Sequence, residues 1–240
     1  MPVGHEAPRE LVRARASDAG AGHEELVQVE DPHRARRNGS AALSRVLDLI
    51  LGAVALAVSS PLLLAAIVAI RLEDGGAAFY RQRRVGKDGV PFELWKLRTM
   101  VRGAERMGAG IYVVADDPRI TRVGRLLRRL SLDELPNLFN VLSGEMSLVG
   151  PRPTIQEQVD RYTPRQRRRL EVKPGITGWA QVNGRLALSW PERIELDVWY
   201  VDHRSPALDL RILARTARML LTGHGLYSED LHQGWGQPPR

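Results

Sequence analysis

The chain has 240 residues, a formal net charge of +7 at pH 7, a pI near 10.3 and no cysteine. The absence of cysteine excludes disulfides and thiol nucleophiles. Arginine supplies most of the positive charge, which suits bidentate contacts with phosphate and attraction to anionic lipid headgroups. Nucleic acid would also explain this charge, but only 5% of residues are aromatic and no zinc-finger, stacking or helix-turn-helix pattern is present. We therefore expect no nucleic-acid partner.

The N-terminal quarter of the chain contains two contrasting segments. Residues 1–40 mix charged residues with alanine and glycine and show no apolar periodicity, which predicts a disordered tail on the cytoplasmic side. Leu49 to Ile70 carries no charge and is long enough to cross a bilayer. A cleaved signal peptide fits poorly, because the apolar stretch begins far from the N-terminus.

The apolar stretch is interrupted at Ser60-Pro61. Proline removes a backbone donor from a helix, and in lipid the carbonyl that it frees needs a partner, which Ser59 and Ser60 can supply. Both flanks are rich in arginine, and the positive-inside rule therefore favours the cytoplasmic side for each. This pattern is typical of a helix-break-helix hairpin that enters and leaves one leaflet, here over residues 41–72. A single span with a proline kink is the alternative that these residues leave open.

The segment after the apolar stretch predicts a β-hairpin. Val85 to Lys96 shows partial period-two alternation around a turn at Gly86-Lys87-Asp88-Gly89. The same alternation places Lys96 and Arg98 on one face, where they either line a phosphate pocket or face solvent.

A helix is predicted over Ile120 to Leu130, followed by a second helix that begins near Asp133. Pro136 suits the first turn of this second helix, and Ser131 with Glu134 fits a capping box. At a helix N-terminus Asp133 should stay ionised, as a competent nucleophile toward phosphorus, and Glu134 could hold Mg²⁺. The alternative is that both acids only cap the helix.

Three further segments carry predictions. The two prolines around Arg152 hold it extended, either to grip a phosphate or in a rigid turn. Trp179 to Asn183 is predicted to be a short strand after a Pro-Gly turn. Leu208 to Leu221 predicts a basic amphipathic helix, which either lies in the membrane interface or packs on the domain with a solvated arginine face. Its arginine stripe comprises Arg211, Arg215 and Arg218. The residues from 223 to 240 are predicted to be irregular.

Several short motifs together resemble one family, the bacterial sugar transferases, that is, the monotopic polyprenol-phosphate phosphoglycosyl transferases. The resemblance covers roughly residues 42–221. Its motifs, in family order, are Ser60-Pro61, Lys96-Leu97-Arg98-Thr99-Met100, Asp117-Pro118-Arg119-Ile120-Thr121, Ser131-Leu132-Asp133-Glu134-Leu135-Pro136, Met146-Ser147-Leu148-Val149-Gly150-Pro151-Arg152-Pro153 and Lys173-Pro174-Gly175-Ile176-Thr177-Gly178.

The resemblance implies a re-entrant hairpin and a two-step reaction. In such enzymes the aspartate that matches Asp133 attacks the sugar-bearing phosphate of a UDP-sugar and UMP leaves. Undecaprenyl phosphate then takes the phosphosugar. The glutamate that matches Glu134 supports Mg²⁺, and the arginines that match Arg128 and Arg152 contact phosphates, with Lys96 and Arg98 as further pocket residues. This chain resembles the compact form of the family, without the multi-span bundle of the larger relatives.

The sequence therefore predicts an α+β fold that is mainly helical, in a monotopic membrane protein. It consists of a re-entrant hairpin (residues 41–72), a cytoplasmic catalytic domain with interfacial helices (73–222) and terminal tails (1–40 and 223–240). We expect it at the cytoplasmic face of the bacterial inner membrane, where it would begin exopolysaccharide, capsule or glycan assembly. The predicted partners are the UDP-sugar, undecaprenyl phosphate, anionic lipid and downstream glycosyltransferases. The rival functions are a membrane-bound Mg²⁺-dependent phosphohydrolase and a catalytically silent scaffold for glycosyltransferases.

Overall fold

The computed structural model describes residues 32–107, 117–184 and 188–222 of the chain. This part is mostly helical and also contains two small two-stranded sheets. The predicted C-terminal tail and residues 1–31 of the predicted N-terminal tail lie outside the described residues. The helices are α1 (Pro32–Asp74), α2 (Arg122–Arg129), α3 (Asn137–Ser143), α4 (Gln156–Val159), α5 (Pro164–Arg167), α6 (Trp179–Val182), α7 (Trp190–His203) and α8 (Pro206–Thr222), and the strands are β1 (Phe79–Val85), β2 (Pro91–Leu97), β3 (Ser147–Val149) and β4 (Gly175–Thr177).

Helix α1 begins inside the predicted N-terminal tail and continues through Pro61 without leaving helical structure. By length and apolar composition, its segment Ala42–Asp74 could cross a membrane, with a mean hydropathy of 2.5. The Ser60 hydroxyl donates to the carbonyl of Ala57 at 2.8 Å, the oxygen that the Pro61 nitrogen leaves without a backbone donor. The predicted hydrogen bond from a serine is thus confirmed, whereas the predicted break is not seen, because α1 continues through Pro61 as one helix.

Helix α1 packs lengthwise on the globular domain that residues 78–222 form. Near its start, Arg45 donates to the carbonyls of Val141 (2.6 Å) and Leu142 (2.9 Å) in the last turn of α3. Near its end, Glu73 accepts from the first backbone amides of α2. Cations at a helix C-terminus and anions at an N-terminus are favourable because they complement the unpaired backbone groups there. Two polar residues of α1 therefore cap two helices of the globular domain.

One face of α1 is buried and the opposite face is apolar and exposed. Between the two polar caps, Leu63, Ala66 and Ile70 are buried against the globular domain. Large apolar side chains point outward over the same length: Leu43, Val46, Leu49, Ile50, Val54, Val58, Leu62, Leu64, Val68 and Leu72. An exposed apolar surface of this extent marks a contact with lipid or protein.

The predicted hairpin is present and longer than expected. Strands β1 and β2 pair antiparallel from Phe79↔Leu97 to Val85↔Pro91, and the turn falls where the glycines predict it. Asp88 and Gly89 both adopt positive φ in this turn, at 56° and 80°. The short parallel pair of β3 and β4 lies farther along the chain, joined by backbone bonds between the Gly150 and Gly175 regions.

The main core is built on α3, β2, β3, α7 and α8, with Val141, Met146, Val198 and Ile212 almost completely buried in the domain. Ile194, Val198 and Val201 have the spacing of one helical face, and all three are buried on α7. In α8, Ile212 is part of the core, so one face of this amphipathic helix packs against the domain. Contact of its arginine face with lipid stays a prediction.

Two local predictions are wrong. Trp179 to Val182 forms the short helix α6 instead of a strand, because it folds back as one turn whose Val182 amide donates to the carbonyl of Gly178. The helix expected from Asp133 begins at Asn137, and Leu132–Glu134 forms a 3₁₀ turn. Ser131 adopts the left-handed conformation (φ 55°) and makes no capping bond, so the predicted capping box does not exist.

The docking of α1 yields a first prediction. Asp48 is 6% exposed and accepts from the Leu148 amide (2.8 Å) and the Ser147 hydroxyl (3.0 Å) of β3. Asp48→Ala leaves a buried donor unpaired, which costs about 1–3 kcal/mol. We expect a lower thermal unfolding midpoint in detergent. The exposed Asp88→Asn serves as the control, because asparagine tolerates the positive φ at this position, and an equal midpoint for both variants would contradict the anchoring role of Asp48.

Candidate active site

A short turn between α2 and α3 presents two adjacent carboxylates, Asp133 and Glu134. The left-handed Ser131 reverses the chain directly after α2, and Pro136 then leads into α3. Non-glycine residues rarely adopt this conformation, and they do so where the surrounding structure enforces it. The packing of α2 and α3 therefore fixes where the two acids stand.

Glu134 is clamped by two cations. Lys96 Nζ lies 3.0 Å from Glu134 Oε1, and Arg152 reaches the same carboxylate with both terminal nitrogens, at 2.5 Å and 3.3 Å. Burial by itself raises the pKa of Glu134, but the charges of Arg152 and Lys96 outweigh it and hold this pKa well below its usual range. Glu134 is consequently a fixed anion.

Asp133 has a different environment, although it is the next residue. Within the described part of the chain it makes no hydrogen bond or ion pair, and it lies in the wall of a cavity. Burial raises the pKa of its carboxyl group, and the adjacent Glu134 raises it further against three nearby cations. A carboxylate without hydrogen-bond donors is more basic and more nucleophilic than one that is clamped.

The two acids line a cavity of about 940 Å³, bounded by α1, the β1–β2 hairpin, the turn Leu132–Glu134, α6, α7 and α8. Eight basic and four acidic side chains contribute to its wall, so the cavity carries a net positive charge. Its other end is apolar, with Ala55 of α1, Ile176 before α6, and Met219 and Leu220 of α8. Such a cavity can hold an anionic group beside an apolar one.

All six predicted site residues, that is, Asp133, Glu134, Arg128, Arg152, Lys96 and Arg98, line this one cavity. Lys96 and Arg152 contact Glu134 directly. Arg128 donates from Nε to the Thr99 hydroxyl at 2.8 Å, and Arg98 forms an ion pair with Asp74 at the end of α1. Arg98 therefore links the cavity wall to α1, and its guanidinium is engaged outside the carboxylate pair.

Residues that were not singled out from the sequence also line the cavity. Arg84 stands on the same strand face as Tyr80 and Gln82, and burial together with the charge of Arg152 lowers its pKa to about 10. The alternation along β1 carries the signal that would have identified it. Arg169 and Asp197 also contribute to the wall, where they form a buried ion pair. Asp197 occupies the buried face of α7 with Ile194 and Val201, and a carboxylate there requires a buried cation.

A divalent cation would find two carboxylates in this turn and no ready-made cage, because no cluster of three or more acidic or histidine ligands occurs among the described residues. Magnesium is commonly held by one or two carboxylates together with substrate phosphates and water. Asp133 and Glu134 fit this mode of binding, with Glu134 exchanging contacts from Lys96 or Arg152.

The sequence matches the family model described as "Bacterial sugar transferase" over residues 39–223. It is 48% identical over 184 residues to "Uncharacterized sugar transferase EpsL" of Bacillus subtilis, an alignment that covers 77% of this chain and 90% of that protein. It is 44% identical over 191 residues to the UDP-glucose:undecaprenyl-phosphate glucose-1-phosphate transferase of Caulobacter vibrioides, covering 76% and 71% of the two chains.

A third relative is longer. The UDP-N-acetylgalactosamine-undecaprenyl-phosphate N-acetylgalactosaminephosphotransferase of Aeromonas hydrophila is 42% identical over 191 residues, which cover 77% of this chain and 45% of that protein. The chain thus spans less than half of that relative and most of EpsL. The matched region includes α1 from residue 39 onward, the cavity and every residue of the carboxylate turn. The chain belongs to the bacterial sugar transferase family.

Proposed function

We propose that the chain transfers sugar-1-phosphate from a UDP-sugar to undecaprenyl phosphate and thereby begins the assembly of a polysaccharide or glycan. The observation that carries this proposal is a contrast within one positively charged cavity: Asp133 has no hydrogen-bond donor among the described residues, and Glu134 is held by two cations. The names of the Caulobacter and Aeromonas relatives support the substrate classes.

The reaction proceeds in two displacements at one phosphorus atom. A carboxylate oxygen of Asp133 attacks the sugar-bearing phosphate, the bond to the bridging oxygen breaks, and UMP leaves with that oxygen. The sugar phosphate is then bonded to Asp133. In the second step, a phosphate oxygen of undecaprenyl phosphate attacks the same phosphorus and displaces the Asp133 carboxylate, which yields undecaprenyl diphosphate-sugar. Covalent catalysis divides one difficult encounter into two easier ones.

The cations of the cavity assist both steps electrostatically. Arg152 and Lys96 already stand beside the carboxylate turn, and Arg128 and Arg84 line the same wall. Fixed positive charges lower the repulsion between a diphosphate and the two acids and stabilise the charge that develops on the leaving phosphate.

Magnesium is the cofactor that we propose, held by Glu134 and Asp133 together with oxygens of the diphosphate. When bound, it would neutralise the leaving phosphate and act as a Lewis acid.

We propose that the domain sits at the cytoplasmic face of the inner membrane and that α1 is re-entrant. Arg45 and Glu73 stand near opposite ends of the apolar stretch, about 42 Å apart for a straight helix, yet both cap helices of the same globular domain. A helix that crossed a hydrocarbon core of about 30 Å would carry its two ends to opposite sides. The outward apolar face of α1 and the apolar end of the cavity both suit a lipid acceptor.

Exchange of the nucleophile tests the mechanism. Asp133→Asn should lower UMP release by at least about 10³-fold and abolish the phosphosugar adduct, because the amide does not attack phosphorus. Purified protein is incubated with UDP-glucose or UDP-N-acetylgalactosamine, undecaprenyl phosphate, and either Mg²⁺ or EDTA. UMP is quantified, and intact-protein mass spectrometry detects the adduct.

Asp88→Asn, in the exposed hairpin turn, is the matched control and should retain full activity. Equal rates for wild type and Asp133→Asn would refute the covalent mechanism. UMP release without a lipid-linked product would instead indicate the rival phosphohydrolase.

The pH dependence follows from the raised pKa of Asp133. The nucleophile is the ionised form, so kcat/KM should fall as the pH is lowered through that pKa, which stands above the ordinary value of 3.8. Because the pKa of Glu134 is lowered, this acid does not contribute to the same limb. A pH–rate profile measured between pH 4 and 8 checks the expectation, and a flat profile over this range would contradict it.

Membrane topology can be tested with single cysteines, since the chain contains none. Leu43→Cys and Arg83→Cys lie at exposed positions on either side of the apolar stretch. A membrane-impermeant maleimide should label both only in inside-out vesicles, where the cytoplasmic face is outside. Labelling of either cysteine in right-side-out vesicles would show that α1 spans the membrane.

A further inference from the structure

A buried ion pair forms part of the wall of the active-site cavity. Arg169 and Asp197 are each 2% exposed, and Arg169 Nη2 lies 2.6 Å from Asp197 Oδ2. The guanidinium also lies over two aromatic rings, with its Cζ 5.7 Å from the Tyr162 ring centroid and 5.5 Å from that of Trp190. Both terminal nitrogens of Arg169 donate to protein acceptors, so its effect on the reaction is transmitted by the residues that it holds.

The residue that Arg169 holds is Arg152. Arg169 Nη2 donates to the backbone carbonyl of Arg152 at 3.0 Å, while Nη1 donates to the Tyr162 hydroxyl at 2.5 Å. On its other side, Arg152 clamps Glu134 with its guanidinium. Hydrogen bonds thus connect Asp197 of α7 to Arg169 and Arg169 to the backbone of Arg152, whose own side chain bonds to Glu134.

The sequence around Arg152 explains why an external donor is needed there. Pro151 and Pro153 have no N–H, so this segment is fixed mainly through its carbonyl groups. The Pro151 carbonyl accepts from Gly175, and the Thr154 carbonyl accepts from Val85. The Arg152 carbonyl, which follows that of Pro151, accepts from Arg169.

A purely stabilising role does not account for this pair. Taking two charges out of water is costly, and well-packed apolar residues often stabilise a fold as well or better. A guanidinium, in contrast, can bond one carboxylate, one hydroxyl and one carbonyl in fixed directions. The bonds of the Arg169 guanidinium therefore fix the position of the Arg152 backbone carbonyl.

We propose that Arg169, oriented by Asp197 and Tyr162, is a positioning residue that holds the Arg152 guanidinium on Glu134. This inference rests on the proposed function, in which Arg152 stabilises the transferred phosphate. Arg169 acts through Arg152 and takes no part in bond making.

Three variants test the proposal by graded damage to the same set of bonds. Arg169→Lys keeps the charge and loses the forked geometry, Asp197→Asn removes the orienting charge, and Tyr162→Phe removes one acceptor. The control is Arg165→Lys, from the neighbouring exposed ion pair with Glu195. We expect kcat for UMP release to fall on the order of 10- to 100-fold in Arg169→Lys, since small misplacements near reacting groups have effects of this size. The control should stay within twofold of wild type.

A second readout is independent of activity. Phenylglyoxal modifies accessible arginines, and the Arg152 side chain is 51% exposed but restrained by Glu134. Peptide mass spectrometry should show several-fold faster modification of Arg152 in Arg169→Lys and Asp197→Asn than in wild type or the control. An unchanged modification rate with an unchanged kcat would overturn the proposal. If wild type releases no UMP from any donor, the proposed function fails, and the labelling rate still decides whether Arg169 positions Arg152.

The pH dependence separates positioning from general stabilisation. Burial raises the pKa of Asp197 to about 6, against the opposing charges of Arg169 and Arg193. Because the folded-state pKa is higher than the ordinary value, protonation below pH 6 does not destabilise the fold through this group. It does remove the charge that orients Arg169. The ratio of the wild-type rate to the Asp197→Asn rate should therefore fall toward one below about pH 6, and a constant ratio from pH 5 to 8 would refute this role of Asp197.

Discussion

The structure depends on the docking of one long apolar helix along a polar, positively charged domain. Helix α1 carries few polar side chains after Ala42, and those near its ends are used as anchors: Arg45 caps α3, Asp48 binds β3 and Glu73 caps α2. Buried aliphatic residues fill the distance between them. The apolar helix is thereby part of the folded domain, and it contributes Ala55 to the wall of the cavity. A reaction between a soluble and a lipid substrate needs such a shared wall, because the lipid phosphate stays near the interface.

Two neighbouring carboxylates have different properties because the surrounding cations are distributed unequally. Glu134 receives Lys96 and Arg152, and Asp133 receives no hydrogen-bond donor within the described residues. One acid is held as a permanent anion, and the other keeps its electron pairs available. This separation of pKa values within one turn is the arrangement expected where two acids serve two purposes. The left-handed Ser131 makes it possible, since it lets both side chains face the cavity from a turn that is not yet a helix.

Much of this architecture could be predicted from the sequence. The serine hydrogen bond beside Pro61, the β-hairpin with its glycine turn and the helical face of α7 follow from local rules, and the six predicted site residues do line one cavity. The capping box failed because long-range ion pairs from Lys96 and Arg152 outcompete the local bond of Glu134 to the backbone. Arg169 belongs to the run Arg167-Arg168-Arg169, and only the three-dimensional partnership with Asp197 distinguishes it from Arg168, which lies at the surface. Local patterns do not report such partnerships.

The hydroxyl of Ser60 on the carbonyl of Ala57 has a mechanical consequence for α1. At an ordinary position, bending a helix stretches a backbone hydrogen bond, and hydrocarbon offers no substitute partner for the carbonyl. Here the carbonyl is served by a side chain that rotates, so curvature at Pro61 exposes no bare oxygen to the acyl chains. Bilayers differ in thickness by several ångströms, and an anchor with a compliant joint adapts to that hydrophobic mismatch at a modest free-energy cost. In the proposed membrane-attached protein, the cavity can then keep its depth relative to the bilayer surface when the bilayer thickness changes.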